Sequence, residues 1–254
     1  MSGLGVMLRK EVLEQVRTMR LLAVGGLFLV AGLLSPVLAK YLPEIIGQVA
    51  PEGMTIQLPT PTIADAIDQL MKNLSQFGTL AAILIAMGSV ATEKERGTAA
   101  MVLTKPISRT SFLLAKLVAL GLTLAVATAA GGTAAFAYTA WLFGAAPDAL
   151  GFIAMCVLLW LSLLVYTALT FLGSTLARSV LPAAALGIIF LGVLGALSLL
   201  PTIGKLTPGA LTGIAQQVGT GVPANDLLVS TVSNVLIVIV AFGVAWLSFR
   251  RQEL

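Results

Sequence analysis

The sequence contains no histidine and a single cysteine, Cys156. Without histidine the chain lacks the commonest metal ligand and the usual general base of enzymes at neutral pH. One cysteine excludes an internal disulfide, and the eight methionines are scattered, so no cluster of soft ligands for copper is present. The sequence therefore predicts no catalytic residues, no metal site and no cofactor in this chain, and we expect it not to be an enzyme.

Charge is also scarce. Only 10% of the 254 residues are charged, 58% are hydrophobic, and the mean hydropathy is +1.01. A soluble domain carries about 25% charged residues, so this chain cannot build a water-facing surface and its solvent is mostly lipid. Gly204-Lys205 is followed by Leu206 and lacks the upstream glycine of a P-loop, so we expect no ATP hydrolysis by this chain itself.

Long uncharged runs predict an all-α polytopic membrane protein with six transmembrane helices. At a rise of 1.5 Å per residue, about 20 apolar residues cross a hydrocarbon core of about 30 Å. The predicted spans are about 21–39, 73–91, 112–142, 150–176, 181–200 and 227–249. No ionisable residue lies near the middle of any of them, which argues against ion-coupled carriers and proton pumps. We expect residues 1–254 to form a single transmembrane domain.

The predicted first helix lies outside the spans. In residues 1–20, the apolar residues Leu8, Val12, Val16 and Met19 share one helical stripe, and the charges lie mostly elsewhere. This pattern indicates an amphipathic helix in the cytoplasmic interface of the bilayer. The alternative is an ordinary positively charged flank of the first span.

Two polar segments are predicted on the outer side. Residues 40–72 form an outer loop, although Thr62-x-x-Asp65 resembles a capping box and starts the second helix near residue 63. Residues 201–226 are rich in Pro and Gly, which a lipid-exposed span cannot accommodate. We expect a broken, re-entrant segment there, with an exposed loop as the alternative. Its candidate outer-gate residues are Pro201, Pro208, Gly213, Gln216 and Gln217.

The distribution of basic residues predicts the orientation. Six spans place both termini on one side, and 12 of the 15 Lys and Arg residues fall on that side, leaving Lys40, Lys72 and Lys205 on the other. Positive residues accumulate in cytoplasmic loops. The sequence therefore predicts that both termini are cytoplasmic, in a prokaryotic inner membrane.

Small residues recur at four-residue spacing in the third predicted span, at Ala127, Gly131 and Ala135. Such spacing lets helices approach closely. The set indicates either packing within one subunit, which we favour, or a sliding or dimer interface.

The most informative stretch is the charged loop at 92–111. Gly97 can end the helix that leaves the second span, and Thr98 can cap a new short helix at 99–105. Pro106 prevents that helix from continuing, and Ser108 or Thr110 can cap the next one. The residues predict a short cytoplasmic helix between two stiff corners, which either docks on a partner protein or is a simple solvated connection.

This stretch resembles the corresponding loop of ABC-2 type transporter permeases, most closely the branch associated with multi-copper enzyme maturation. The matching residues are Glu93, Glu95, Gly97, Thr98, Pro106, Ile107, Ser108, Arg109 and Lys116. The resemblance implies that the short helix is a coupling helix, held in a cleft of a separate ABC ATPase subunit that carries ATP and Mg²⁺. It also implies a second permease copy and no nucleic acid partner. The residues assigned to coupling are Glu93, Lys94, Glu95, Arg96, Gly97, Thr98, Met101, Lys105, Pro106, Ser108 and Arg109.

We therefore predict the permease subunit of an ABC-2 type transporter, with export as the direction that the resemblance implies. Two other functions remain open from the sequence. One is an ATP-independent carrier or channel, and the other is a membrane anchor or sensor that docks an ATPase without moving cargo.

Overall fold

The computed structural model describes residues 3–49, 60–98 and 108–252. Within these residues the chain forms eight α-helices and one 3-10 turn, with no β-strand. The helices are α1 Gly3–Arg17, α2 Arg20–Val49, α3 Ile63–Glu95, α4 Arg109–Phe143, α5 Ala149–Leu176, α6 Val180–Ser198, α7 Pro208–Gly219 and α8 Leu227–Arg250, and the 3-10 turn is Gly204–Leu206.

Six of these helices are long and apolar enough to cross a membrane, namely α2, α3, α4, α5, α6 and α8. This confirms the predicted fold class and the order of its spans. The broken segment predicted before the last span is the 3-10 turn followed by the 12-residue helix α7.

One boundary differs from the prediction. The expected outer loop began at residue 40, but α2 continues to Val49. Lys40 does not end the helix because its Nζ donates a hydrogen bond of 2.7 Å to the Leu142 carbonyl at the end of α4. A cation there also interacts favourably with the negative end of the α4 dipole. The charge is thus satisfied by a neighbouring helix.

Local sequence sets several other helix ends. The capping box is present, with the Thr62 amide donating to the Asp65 carboxylate at 2.8 Å, and α3 begins at Ile63 as predicted. Ser108 caps α4 by accepting a hydrogen bond from the Ser111 amide at 3.0 Å. Gly97 follows α3 with a φ of +69°, a left-handed conformation that favours glycine.

The helices pack most closely where α2 crosses α4. A Cβ atom built on Gly131 would lie 2.6 Å from the Phe28 carbonyl oxygen, and one on Gly32 would overlap the Gly131 carbonyl. The two backbones are therefore in direct contact. Ala127 and Ala135 are also buried on α4, which makes this stripe of small residues a packing surface within the subunit.

Helix α1 packs on the protein through a face that includes charged and polar residues. Its buried residues are Met7, Glu11 and Gln15, while Val12 and Val16 of the predicted apolar stripe are exposed. The reason is the buried ammonium of Lys116 on α4, which attracts Glu11. That α1 lies in the membrane interface stays a prediction.

Contacts define two ends of the helix bundle. Helix α1, the ends of α3 and α4 next to residues 99–107, and residues 249–252 lie together, and we call this the basic end. Helix α7 lies at the opposite end, where the Gln216 amide donates to the Asp68 carboxylate at 2.7 Å. The described flanks of the predicted cytoplasmic loop and the predicted outer segment thus lie at opposite ends of the bundle.

Candidate functional site

The candidate site is the basic end, where α3 leads into the predicted coupling helix and α4 leads out of it. The helix predicted at 99–105, with its residues Met101 and Lys105, and Pro106 lie outside the described residues. On the α3 side the Thr98 hydroxyl donates to the Glu93 carbonyl at 3.2 Å. On the α4 side Ser108 is the N-cap.

A buried ion pair joins the two helices that flank the loop. The Lys116 side chain is 3% exposed, and its Nζ lies 2.8 Å from the Glu93 carboxylate on α3. The same ammonium lies 3.1 Å from the Glu11 carboxylate on α1. Since charges in such a buried place persist only when they are paired, Lys116 fixes α1, α3 and α4 relative to one another.

Two further residues of α1 complete this ionic cluster, which comprises Lys10, Glu11, Glu14, Glu93 and Lys116. The Lys10 ammonium contacts three carboxylates, at 2.9 Å from Glu11, 3.0 Å from Glu14 and 3.3 Å from Glu93. Burial alone would lower the pKa of Lys10, but these carboxylates outweigh it and the pKa is raised. Burial alone would raise the pKa of Glu14, but Lys10 outweighs it and that pKa is lowered. Both groups are therefore ionised at neutral pH.

Lys94 fixes the end of α3 to two other helices. Its ammonium donates to the Thr175 carbonyl in the last turn of α5 and, at 2.5 Å, to the Gln252 side-chain oxygen just after α8. A helix leaves its last carbonyls without partners inside the helix, and a cation near them is favourable. Lys94 thus satisfies the end of α5 and holds the chain after α8 against it.

Arg109 fixes the start of α4 to the same place. Its guanidinium donates to the carbonyls of Phe249, Arg250 and Gln252, at 3.0, 2.9 and 3.3 Å. Phe249 is fully buried, and its ring stacks on Phe112 with 5.6 Å between centroids. The two sides of the predicted coupling loop therefore meet at residues 249–252.

The other predicted coupling residues have different environments. A Glu95 carboxylate oxygen accepts a hydrogen bond of 3.3 Å from the Val180 amide at the start of α6, where the positive end of the helix dipole lies. Arg96 is exposed and has no salt bridge among the described residues. Sequence reasoning thus grouped side chains that the structure separates. Glu93, Lys94 and Arg109 bind within the subunit, and Arg96 faces outward.

Several residues of the basic end were not identified from the sequence as part of the site. Glu11 and Lys10 were assigned only to an amphipathic helix, Phe249 was assigned only to the end of the last span, and Gln252 was assigned to no feature. The one available signal was Lys116, a charge at the base of an otherwise apolar helix. Its partner Glu11 lies 105 positions away, and no local pattern indicates such a pairing.

The five candidate gate residues do not converge on one point. Pro208 begins α7 and is buried, and Gln216 binds Asp68 on α3. Pro201, Gly213 and Gln217 are exposed. A gating role for these residues stays a prediction.

A family model described as "ABC-2 family transporter protein" matches residues 6–210. The chain belongs to the ABC-2 transporter family. The match covers most of α1, both sides of the 99–107 loop and the start of α7, so the basic end lies inside it except for residues 249–252. The chain is also similar to the uncharacterized transmembrane protein YxlG of Bacillus subtilis (strain 168), with 31% identity over 266 residues, covering 100% of this chain and 99% of that protein. As an ABC-2 family member with six apolar helices, the protein is a multi-pass membrane permease component, of a kind that generally associates with an ABC ATPase.

Proposed function

We propose that this chain is the transmembrane subunit of an exporter, driven by a separate ATPase that docks on the loop at 92–111. In this proposal the basic end faces the cytoplasm of a prokaryotic cell, ATP and Mg²⁺ bind to the ATPase, and a second permease copy completes the transporter. This chain contributes the conduit and the mechanical connection to it.

The observation that carries the proposal is the attachment of both sides of the loop to the rest of the bundle. On one side Glu93 and Lys94 connect α3 to α1, α4 and α5. On the other, Arg109 connects α4 to the end of α8. Hydrogen bonds in which the donor or the acceptor is ionised are roughly twice as strong as neutral ones. A force applied to the loop would therefore move several helices together.

The outward residues at the loop's edge offer a contact for the ATPase. Arg96 is exposed directly beside the left-handed turn at Gly97. Charged residues at the rim of an interface set orientation and partner choice more than affinity. The ATPase supplies work only if its contacts with this surface differ between its nucleotide states.

The poorly buried spans leave space for a second copy. Helices α6 and α8 expose large apolar side chains along their length, including Leu181, Ile188, Leu236 and Ile239. Such faces contact either lipid or another apolar helix, so a second permease can pack here without breaking any polar contact described above.

The decisive experiment reconstitutes the permease with its ATPase in proteoliposomes and follows ATP hydrolysis and complex formation. We expect Arg96→Glu to weaken the complex and to lower the permease-dependent part of ATP hydrolysis, with an unchanged unfolding midpoint. The control is Lys72→Glu, which reverses the charge of an exposed residue in the half of α3 that lies toward the opposite end of the bundle, and which should have little effect.

Two outcomes would refute the proposal in different ways. Transport by vesicles that contain this chain alone would indicate a carrier or channel. A stable complex whose ATP hydrolysis responds to no added compound would indicate an anchor or sensor. Export requires that ATP act from the side of the basic end and that cargo leave that side, which is tested by supplying ATP on one side of oriented vesicles and following the direction of transport.

A further inference from the structure

A second feature of the molecule lies outside the basic end, in the membrane-spanning region. Helices α4 and α5 leave between them an apolar groove of about 490 Å³. Small residues on α4 create the space, chiefly Ala125, Ala129 and Gly132, while Phe152 and Trp160 of α5 and Phe136 of α4 bound it. We call this feature the α4–α5 groove.

The groove extends from the first residue of α5 into the middle of the bundle. Ala125 and Phe136 are eleven positions apart on α4, a rise of about 16 Å, roughly half of the hydrocarbon thickness of about 30 Å. Its floor is closed, since Phe152 and Thr128 are 4% and 2% exposed. Its rim is open, because Ile153 and Val157 are mostly exposed on a helix that crosses the membrane.

The floor of the groove contains an unsatisfied hydroxyl group. Thr128 lines the groove, and its Oγ1 is buried without a hydrogen-bond partner among the described residues. Other threonines on α4 bond the preceding turn, as Thr123 does to the Ala119 carbonyl at 2.9 Å and Thr133 to the Ala129 carbonyl at 2.8 Å. A buried polar group without a partner costs about 1–3 kcal/mol, so the Thr128 hydroxyl, once its side chain turns toward the groove, offers a hydrogen bond to whatever fills it.

We propose that the α4–α5 groove binds a compact aromatic small molecule that is mostly apolar and carries one hydrogen-bond acceptor. The volume falls within the range of small-molecule sites, about 300–1,000 Å³ with few polar groups. Three aromatic side chains bound it, and aromatic rings attract one another in offset or edge-to-face arrangements. The acceptor pairs with the Thr128 hydroxyl on the floor. A lipid acyl chain fits this chemistry less well because it brings no acceptor to that depth.

The proposal does not depend on an ATPase, because binding is measured on this chain alone. A suitable probe is benzophenone, which has two phenyl rings and one carbonyl and forms covalent adducts under near-ultraviolet light. In nanodiscs of zwitterionic lipid, we expect saturable labelling of peptides that line the groove. Cys156, the single cysteine of the chain, also lines it. At a probe concentration about ten times Kd, alkylation of Cys156 by N-ethylmaleimide should slow about tenfold, because only empty sites react.

Two substitutions separate the groove from general partition into lipid. Ala129→Phe fills the groove and should abolish saturable labelling, whereas Ala137→Phe, at an exposed site of α4 outside the groove, should not. Thr128→Val keeps the shape but removes the hydroxyl, and should weaken binding about five-fold, the value of one hydrogen bond.

The result that would overturn the proposal is also clear. Labelling that does not saturate and spreads over all lipid-facing helices would show that the groove holds only acyl chains. Equal affinity of the Thr128→Val variant and the parent would exclude the role of the hydroxyl. An unchanged rate of Cys156 alkylation in the parent protein would exclude binding of the probe in the groove. This test uses the parent protein, so it holds even if the Ala129→Phe variant fails to fold.

Discussion

Replacing Lys116 by methionine tests whether the ionic cluster holds the basic end together. Methionine keeps the length and apolar character of the lysine stem but removes its charge. The substitution leaves Glu93 and Glu11 without the ammonium that lies 2.8 and 3.1 Å from their carboxylates. We expect a large loss of stability and, with it, a loosened attachment of α1.

The expected magnitude follows from burial. Removing one partner of a buried ion pair costs about 3–5 kcal/mol. Lys10 remains in place and compensates in part, since its ammonium still lies 2.9 Å from Glu11 and 3.3 Å from Glu93. The loss should therefore fall near the lower bound, at about 3 kcal/mol. A change of 1 kcal/mol moves the midpoint of a chain of this size by about 2–4 °C, so the predicted shift is about 6–12 °C.

The measurement is thermal unfolding in nanodiscs at a fixed scan rate, with Lys72→Met as the matched control. Lys72 is exposed on α3 and has no salt bridge among the described residues, so its replacement should shift the midpoint by less than about 2 °C. Equal shifts for the two variants would refute the reasoning.

A triple variant distinguishes stability from transmission of force. Combining Lys116→Met with Glu11→Met and Glu93→Met replaces the buried ion pairs by apolar side chains of similar size, and such replacements are often close to neutral for stability. We expect the triple variant to regain much of the lost stability while ATP hydrolysis by the partner stays uncoupled from the permease. Recovery of coupling together with stability would show that the cluster is needed only for folding.

Two further predictions concern other contacts. Gly131→Ala should destabilise the protein by about 1–3 kcal/mol, because the added methyl group meets the Phe28 carbonyl. Gly243→Ala should have no such cost, because a Cβ there meets nothing within 4 Å among the described residues. Similar unfolding midpoints for the two variants would contradict the close α2–α4 contact. Arg109→Gln should speed hydrogen exchange at residues 249–252, because the guanidinium no longer binds the carbonyls there. Exchange at the parent rate would show that Arg109 does not hold the end of α8.

Much of the fold follows from the sequence because lipid restricts the choices. Backbone groups in the hydrocarbon must pair within helices, so uncharged runs of suitable length predict the spans directly. Local chemistry also placed several ends correctly, as with the Thr62–Asp65 capping box and the turn at Gly97. The helical continuation of α2 from Lys40 to Val49 was not predicted, because a charged residue after an apolar run indicates the start of a loop, whereas Lys40 bonds a carbonyl on α4.

The candidate site was less accessible from the sequence. The loop at 92–111 was recognised as the important stretch, but the partners of its side chains come from distant positions. Lys94 and Arg109 donate hydrogen bonds to backbone carbonyls of α5 and α8. Every residue type has such a carbonyl, so the sequence does not indicate which residue accepts the bond. The same holds for Glu11, whose burial depends on a lysine more than 100 positions away. Such pairings are decided by packing of whole helices rather than by spacing along one.

The contact between Gly32 and Gly131 limits how this subunit can deform. Backbones that touch have no side chains between them that can change rotamer, so α2 and α4 cannot slide past each other without separating. Any hinge inside the subunit must therefore leave this pair intact, and α2 and α4 should swing as one rigid body. Only the helices packed around α2 and α4 can then move relative to this pair. We therefore expect a rigid-body motion between the α2–α4 pair and the surrounding helices, rather than a gradual distortion of the bundle.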